Sequence, residues 1–425
     1  MNDEKGFCFR IGKCAAKLRE AYRDCQYHEM EKKLKVLQIN SVCGIGSTGK
    51  IAADLSCALK EKGNESLICF GRNEGKGFDQ IYKICSDFSV KLHFLKSFVF
   101  DKHGLGSKFA TKRLIQRIKI FSPDIIHLHN IHGYYVNYEK LFCFLKSYNK
   151  PVVWTLHDCW AFTGHCAYFD YVGCNKWLTG CYNCSQKKEY PRSLIFDRSK
   201  NNYELKQQVF NRVKKLMIVT PSEWLSALVE KSFLGKNRIL TINNGIDTNV
   251  FKTETGNSLE KLGIGDKKVI LGVAAVWEKR KGLKDFFKLN SLISDEYKIV
   301  LIGLMKGQIT ELPKGIVGIK RTENVRELAQ IYSESYVLFN PTYEDNYPTV
   351  NLEAAACGLP IITYDTGGSP ESAVGGYVIK KGDVESAYKI IKAELTRKTL
   401  EKDVSKEKMV EEYLKLYCDV AGNDF

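Results

Sequence analysis

Residues 340–358 read NPTYEDNYPTVNLEAAACG, and the rest of the chain is read outward from them. A β-rich run ends at Asn340, a loop carrying Pro341 and Pro348 follows, and helical spacing begins near Thr349 before Gly358 and Pro360 break it. Strand, loop and helix in this order form one unit of a parallel sheet covered by helices. Asp345 lies on the loop and Glu353 inside the helix, eight residues apart. One carboxylate then stands at the helix mouth and the other deeper, so each can accept hydrogen bonds from a separate group of hydroxyls without a metal.

Upstream, the same half carries apolar runs at Val269–Ala275, Tyr297–Ile302, Ile316–Ile319 and Tyr336–Asn340, and Ile361–Thr363 follows. An earlier series runs through Leu34–Asn40, Ser66–Phe70, Asp124–His129, Val152–Leu156, Leu216–Thr220 and Ile239–Ile242. Helical stretches separate them, and the polar segment Thr253–Lys261 divides the two series. The expected fold is α/β, with two doubly wound, Rossmann-like domains facing a cleft. The expected division is an extension at 1–33, a first domain at 34–250, a second at 251–403, and a closing segment at 404–425. The helical run Val404–Val420 is long enough to cross back over the first domain.

A length of 425 residues implies more than one core. No stretch approaches a membrane span, and the opening residues lack the apolar centre of an export signal, so a cytoplasmic location is expected. The odd count of 15 cysteines then points to reduced thiols. Cys43, Cys57 and Cys69, singly placed among apolar neighbours, read as core residues. A net charge of +15 implies an acidic partner, and nucleic acid, anionic membrane and a diphosphate substrate all fit.

Gly44-Ile45-Gly46-Ser47-Thr48-Gly49-Lys50 follows a strand and opens a helix, which makes an anion site of its backbone amides. It fits G-x-G-x-x-G, but no acid ends the next strand at Phe70. It also resembles a P-loop, with Ile51 where a magnesium-holding hydroxyl belongs. Phosphate contact by amides and a plain tight turn both remain open. Cys166, Cys174, Cys181 and Cys184 form a different signal, since Cys181-x-x-Cys184 has knuckle spacing and two more thiols stand within fifteen residues. They are expected to hold a structural zinc within the loop 159–186, with no cofactor needed for catalysis.

The segment around Asp345 and Glu353, with Gly358-Leu359-Pro360 and Gly367-Gly368-Ser369-Pro370-Glu371, resembles the retaining glycosyltransferases of the GT-B fold, family four, which contains many bacterial cell-surface polysaccharide enzymes. The resemblance covers most of the chain from Leu34 onward. It implies that Glu353 holds the nucleotide ribose and that Asp345, at the position of the motif's first acid, lies by the donor sugar. Glu344 and Asn346 beside it, and Glu371, fall among the substrate-binding positions. Trp277-Glu278-Lys279-Arg280-Lys281-Gly282 resembles the family's basic turn, so Lys281 would neutralise the donor diphosphate. Ala275 stands where that turn usually has arginine, and Arg280 is the candidate substitute. His157, in Thr155-Leu156-His157-Asp158, matches the histidine facing donor sugar and acceptor. Amides at Gly46 and Gly49 would approach from the opposite domain.

The implied reaction moves a sugar from a UDP- or GDP-sugar to a glycan or lipid-linked acceptor with retention. The chain has no Asp-x-Asp pair, in keeping with chemistry that uses no metal. A sugar-nucleotide epimerase of similar architecture and a basic, zinc-containing nucleic-acid-binding protein are the alternatives, and no nucleic-acid partner is expected. A basic amphipathic helix carrying Lys108, Lys112, Arg113, Arg117 and Lys119 with Phe109, Leu114, Ile115 and Ile118 suggests peripheral contact with an anionic membrane.

Overall fold

The computed structural model describes residues 33–397 and 399–422. The extension expected over 1–33 lies outside the described residues, apart from Lys33. From Lys35 onward the chain forms two all-parallel sheets. The first takes β1 (Lys35–Asn40), β2 (Glu65–Phe70), β3 (Ile81–Lys83), β4 (Ile125–Leu128), β5 (Val152–Thr155), β6 (Leu216–Thr220) and β7 (Arg238–Thr241). The second takes β8 (Lys268–Val273), β9 (Tyr297–Ile302), β10 (Ile316–Ile319), β11 (Val337–Asn340), β12 (Ile361–Tyr364) and β13 (Tyr377–Ile379). Their orders are β3-β2-β1-β4-β5-β6-β7 and β10-β9-β8-β11-β12-β13. Two doubly wound domains were expected, and two are present.

The central strands are nearly continuous apolar runs because helices cover both faces of each sheet. In the second sheet Leu338 packs into one core while Val337 and Phe339 pack into another, so the alternation along β11 separates two apolar layers. The first domain has an aromatic centre in which Phe210 lies 4.5 Å from Phe142 and 4.9 Å, edge to face, from Trp154. The short edge strands β3 and β13 carry too few residues to show a period. Cys43 and Cys69 are buried as expected; Cys57 is exposed, a correction, because it falls on the outer side of the helix whose inner side carries Ile51, Leu55 and Leu59.

In both sheets the strand order reverses beside a central strand, between β1 and β4 and again between β8 and β11. Loops leaving such neighbours diverge and leave a crevice at the strands' carboxyl ends. After β1 comes the glycine loop and α1 (Gly46–Glu61). Two surface helices, α2 (Asp87–Phe100) and α3 (Lys108–Phe121), precede β4. Helix α4 (Glu223–Lys231) follows β6, and α5 (Thr349–Ala356) follows the loop after β11.

The last helix, α6 (Lys406–Gly422), returns to the first domain. The Tyr417 hydroxyl lies 2.6 Å from His127 Nδ1, and that of Tyr413 lies 2.9 Å from Thr155 Oγ1. The outgoing and returning crossings lie side by side. Ile246 N–H donates to Val404 O at 2.9 Å, Lys406 N–H donates to Ile246 O at 2.7 Å, and Lys406 Nζ meets Asp247 Oδ2 at 2.6 Å.

Candidate active site

The basic turn after β8 ends in Gly282, which has φ +73°, and a Cβ there would stand 2.1 Å from Pro341 O. Only glycine allows the turn to lie on the loop after β11. Tyr343 N–H then donates to Arg280 O at 2.7 Å, and Arg280 Nη1 donates to Glu344 O at 2.9 Å. Lys281 is thereby carried to Asp345, with which it forms an ion pair. Gly368 closes the loop from the other side, since a Cβ there would meet Asn346 O at 1.9 Å.

Burial would raise the Asp345 carboxyl, but Lys281 and Arg280 together hold it below the ordinary carboxylate range. Burial draws Lys281 below the ordinary lysine range, with Asp345 opposing. On α5, burial pushes Glu353 up to about 7, against the Tyr332 hydroxyl bonded to it and the charge of Lys50. The field of Lys50 at Glu353 links the glycine loop of one domain to the acid helix of the other.

On the first domain, Gly44 N–H donates to Gly49 O at 3.0 Å, and Gly46 starts α1. His157 Nε2 lies 3.3 Å from His129 Nδ1, whose other nitrogen lies 3.1 Å from Gln38 Oε1. Burial lowers His157 to about 4, with Asp158 opposing, so its imidazole is neutral at neutral pH. His132 pairs with Asp158 at 3.0 Å.

The remaining acids face across the domains. Glu344 is fully buried and accepts from Phe169 N–H at 3.1 Å and Tyr171 N–H at 3.0 Å. Burial pushes it up to about 7, with those amides opposing. Glu371 accepts from Glu223 and Trp224 N–H, both at 2.8 Å, and so caps the start of α4. Asn346 Oδ1 accepts from Ser222 Oγ at 2.8 Å, and the Arg280 guanidinium stands 3.8 Å over the Tyr168 ring. Lys281 and Asp345 are thus brought into direct contact, with the charge of Arg280 acting on Asp345. Glu344, Asn346 and Glu371 instead join the second domain's loops to the first domain.

Sequence reasoning did not single out Lys50, Gln38, Tyr168 or Tyr332. Lys50 alone carried a signal, as the cation closing the glycine loop. Cys166, Cys174, Cys181 and Cys184 are free thiols on the wall of one small cavity. Among the described residues no three His, Cys, Asp or Glu side chains already converge as a metal cage.

Comparison with known proteins agrees with this architecture. Residues 48–250 match the family model "Glycosyltransferase Family 4" and residues 267–396 match "Glycosyl transferases group 1". WcaC of Escherichia coli K12, described as a glycosyl transferase of colanic acid biosynthesis, is 26% identical over 383 residues, covering 86% of this chain and 92% of its own. The α-galactosylglucosyldiacylglycerol synthase of Streptococcus pneumoniae is 25% identical over 49% of this chain and 61% of its own. Anabaena HepE, solved with UDP and glucose, superposes with a TM-score of 0.61 at 15% identity, covering 91% of this chain and 99% of that one, and so shares the fold. Two crevices face each other, each at a point of strand reversal, and two family models together span most of the chain: it belongs to the family 4 glycosyltransferases of GT-B fold.

Proposed function

We propose that the chain transfers a sugar from a UDP- or GDP-sugar to a glycan or lipid-linked acceptor, with retention and without a metal in the chemistry, in cell-surface polysaccharide synthesis. The Lys281–Asp345 pair at the mouth of the second domain's crevice, with Arg280 beside it, carries this reading. Negative charge grows on the leaving diphosphate as the glycosidic bond breaks, and fixed cations and amides aimed there lower the barrier most. Lys281 and Arg280 supply the cations, and the amides at Gly46 and Gly49 approach from the first domain. Glu353 accepts from the ribose hydroxyls, while Asp345 stands between diphosphate and sugar. His157, neutral, offers a hydrogen bond to a hydroxyl of donor or acceptor. The names of WcaC and of HepE's ligand, UDP, support the polysaccharide and nucleotide parts of the reading.

Release of nucleoside diphosphate from a panel of nucleotide-sugars tests it, with product analysis in the presence and absence of acceptor. Sugar transfer is expected. Interconversion of donor sugars without transfer would make the chain an epimerase.

The acceptor side adds an observation of its own. Among the described residues no helix is long and apolar enough to cross a membrane. Leu114 and Ile118 of α3 are buried, so its exposed apolar surface is limited to Phe109 near its start and Ile120 near its end. The larger part lies on α2, where Phe88, Leu92 and Leu95 share one face and are more than half exposed at 75%, 59% and 54%. The segment 194–196 continues it, with Phe196 stacked 5.7 Å from Phe100. Lys102 and Lys108 act electrostatically on Lys96 at its border. Apolar side chains ringed by cations suit an anionic lipid surface. Recovery on anionic vesicles, lost in high salt and absent with neutral lipid, is the expected result; equal recovery on both would refute it.

A further inference from the structure

We propose that the cavity between Cys166, Cys174, Cys181 and Cys184 takes one zinc ion, and that this metal fixes the wall of the cleft that carries residues 168–171. The inference does not depend on the proposed reaction. The cavity measures about 20 Å³ and is lined by all four cysteines together with His165. The thiols of Cys166 and Cys184 are hydrogen-bonded to each other. Cys181 Sγ accepts from Gly164 N–H at 3.1 Å, and Cys184 Sγ accepts from the amide of Gln186. Backbone amides aimed at sulfur fix where these side chains point, as the hydrogen bonds around a metal's ligands do.

Two buried groups that thiols alone leave unanswered stand beside the cluster. His165 is buried, its Nδ1 lies 2.6 Å from Asp101 Oδ1, and its Nε2 has no hydrogen-bond partner. A carboxylate on one ring nitrogen with the other left open is how proteins orient histidines around zinc. The second group is Lys206, 1% exposed, which donates to Trp160 O at 2.6 Å and Thr163 O at 2.9 Å and forms no ion pair among the described residues. Cys181 and Cys166 are the leading negative influences on it. Burial draws Lys206 down to about 7; the net charge of −2 on zinc with four thiolates would favour its ammonium form, whereas four neutral thiols do not.

Binding draws the sulfurs inward to about 2.3 Å from the metal and releases the ligating thiols' protons to solvent. Cys166, Cys181 and Cys184 are assigned three of the places, and Cys174 or His165 Nε2, both on the cavity wall, fills the fourth.

Metal analysis of the full chain, purified without added metal, tests the proposal without any variant. The expected result is about one zinc per chain, with X-ray absorption showing sulfur at about 2.3 Å. Four sulfurs, or three sulfurs and one nitrogen, both support the module, the second placing His165 in the fourth position. The double variant Cys181→Ser/Cys184→Ser should lose the zinc, while Cys143→Ser, on an exposed thiol elsewhere, should keep it. Folded, active wild-type protein without metal overturns the proposal. So does a disulfide among these residues, or alkylation of all four thiols in the native protein as fast as Cys143.

Discussion

Lys281 meets opposing demands: the fold buries it against Asp345, and the proposed reaction needs its charge facing a diphosphate. Lys281→Ala should lower turnover by about 100-fold or more with the fold intact, since a fixed charge at a developing anion acts mainly in the transition state. Steady-state kinetics on folded variant checks this, and wild-type turnover would remove Lys281 from the chemistry. Asp345→Ala should slow transfer yet leave affinity for free nucleoside diphosphate within a few-fold. Glu353 gives a prediction in pH. Its carboxyl is raised to about 7, so it is protonated below that value and accepts fewer hydroxyl hydrogen bonds there. Nucleotide affinity should therefore strengthen several-fold between pH 6 and pH 8, and Glu353→Gln should flatten the profile in calorimetric titration. The same shift acts oppositely on the unliganded fold. A raised carboxyl contributes stability below its unfolded value, and that contribution is lost as pH rises through about 7.

At the scale of elements, the central strands were legible because parallel strands covered on both faces are apolar throughout. Leu216–Thr220 and Tyr297–Ile302 stand where the sequence placed them. The loop after β11 was legible for another reason: its prolines, acids and following helix lie within twenty residues. Glu344 and Glu371 show where local reading ends. Glu344 bonds to an amide 175 residues away and Glu371 to one 148 residues away, and no pattern near either acid announces it. Their partners make a further test possible. Glu371→Ala removes both acceptors from the first turn of α4 and should lower stability by about 1 kcal/mol, as loss of a helix cap does. Its effect on turnover should exceed its effect on nucleotide affinity, because it loosens the approach of the domains. Thermal melts together with separate kcat and KM values check both parts. An unchanged melt would mean that water replaces the carboxylate.

For the whole molecule, the proposed reaction divides between the opposed crevices. In it, donor residues come from the loops after β8 and β11, while acceptor-side residues come from those after β1, β4 and β5. Activity should then survive EDTA, with no specific restoration by magnesium or manganese, provided any zinc in the cysteine loop is retained. Add-back tested metal by metal separates the two roles. This organisation was legible from two series of strands. The contact of Arg280 with Tyr168, and the buried environment of Lys206, were not, because each needs the cysteine loop folded against the rest.

The paired crossings at Ile246 and Ser405 have a mechanical consequence. One covalent link between two bodies acts as a swivel and permits rotation about any axis. Two links tied side by side act as a hinge and favour bending about a single line. The Lys406–Asp247 contact is then its pin. Domain closure in this chain should follow a narrow arc that returns Lys50 to the same place over Glu353 in every cycle. Lys406→Ala should broaden the distances between spin labels placed on the two domains, while leaving the melting temperature of each domain nearly unchanged.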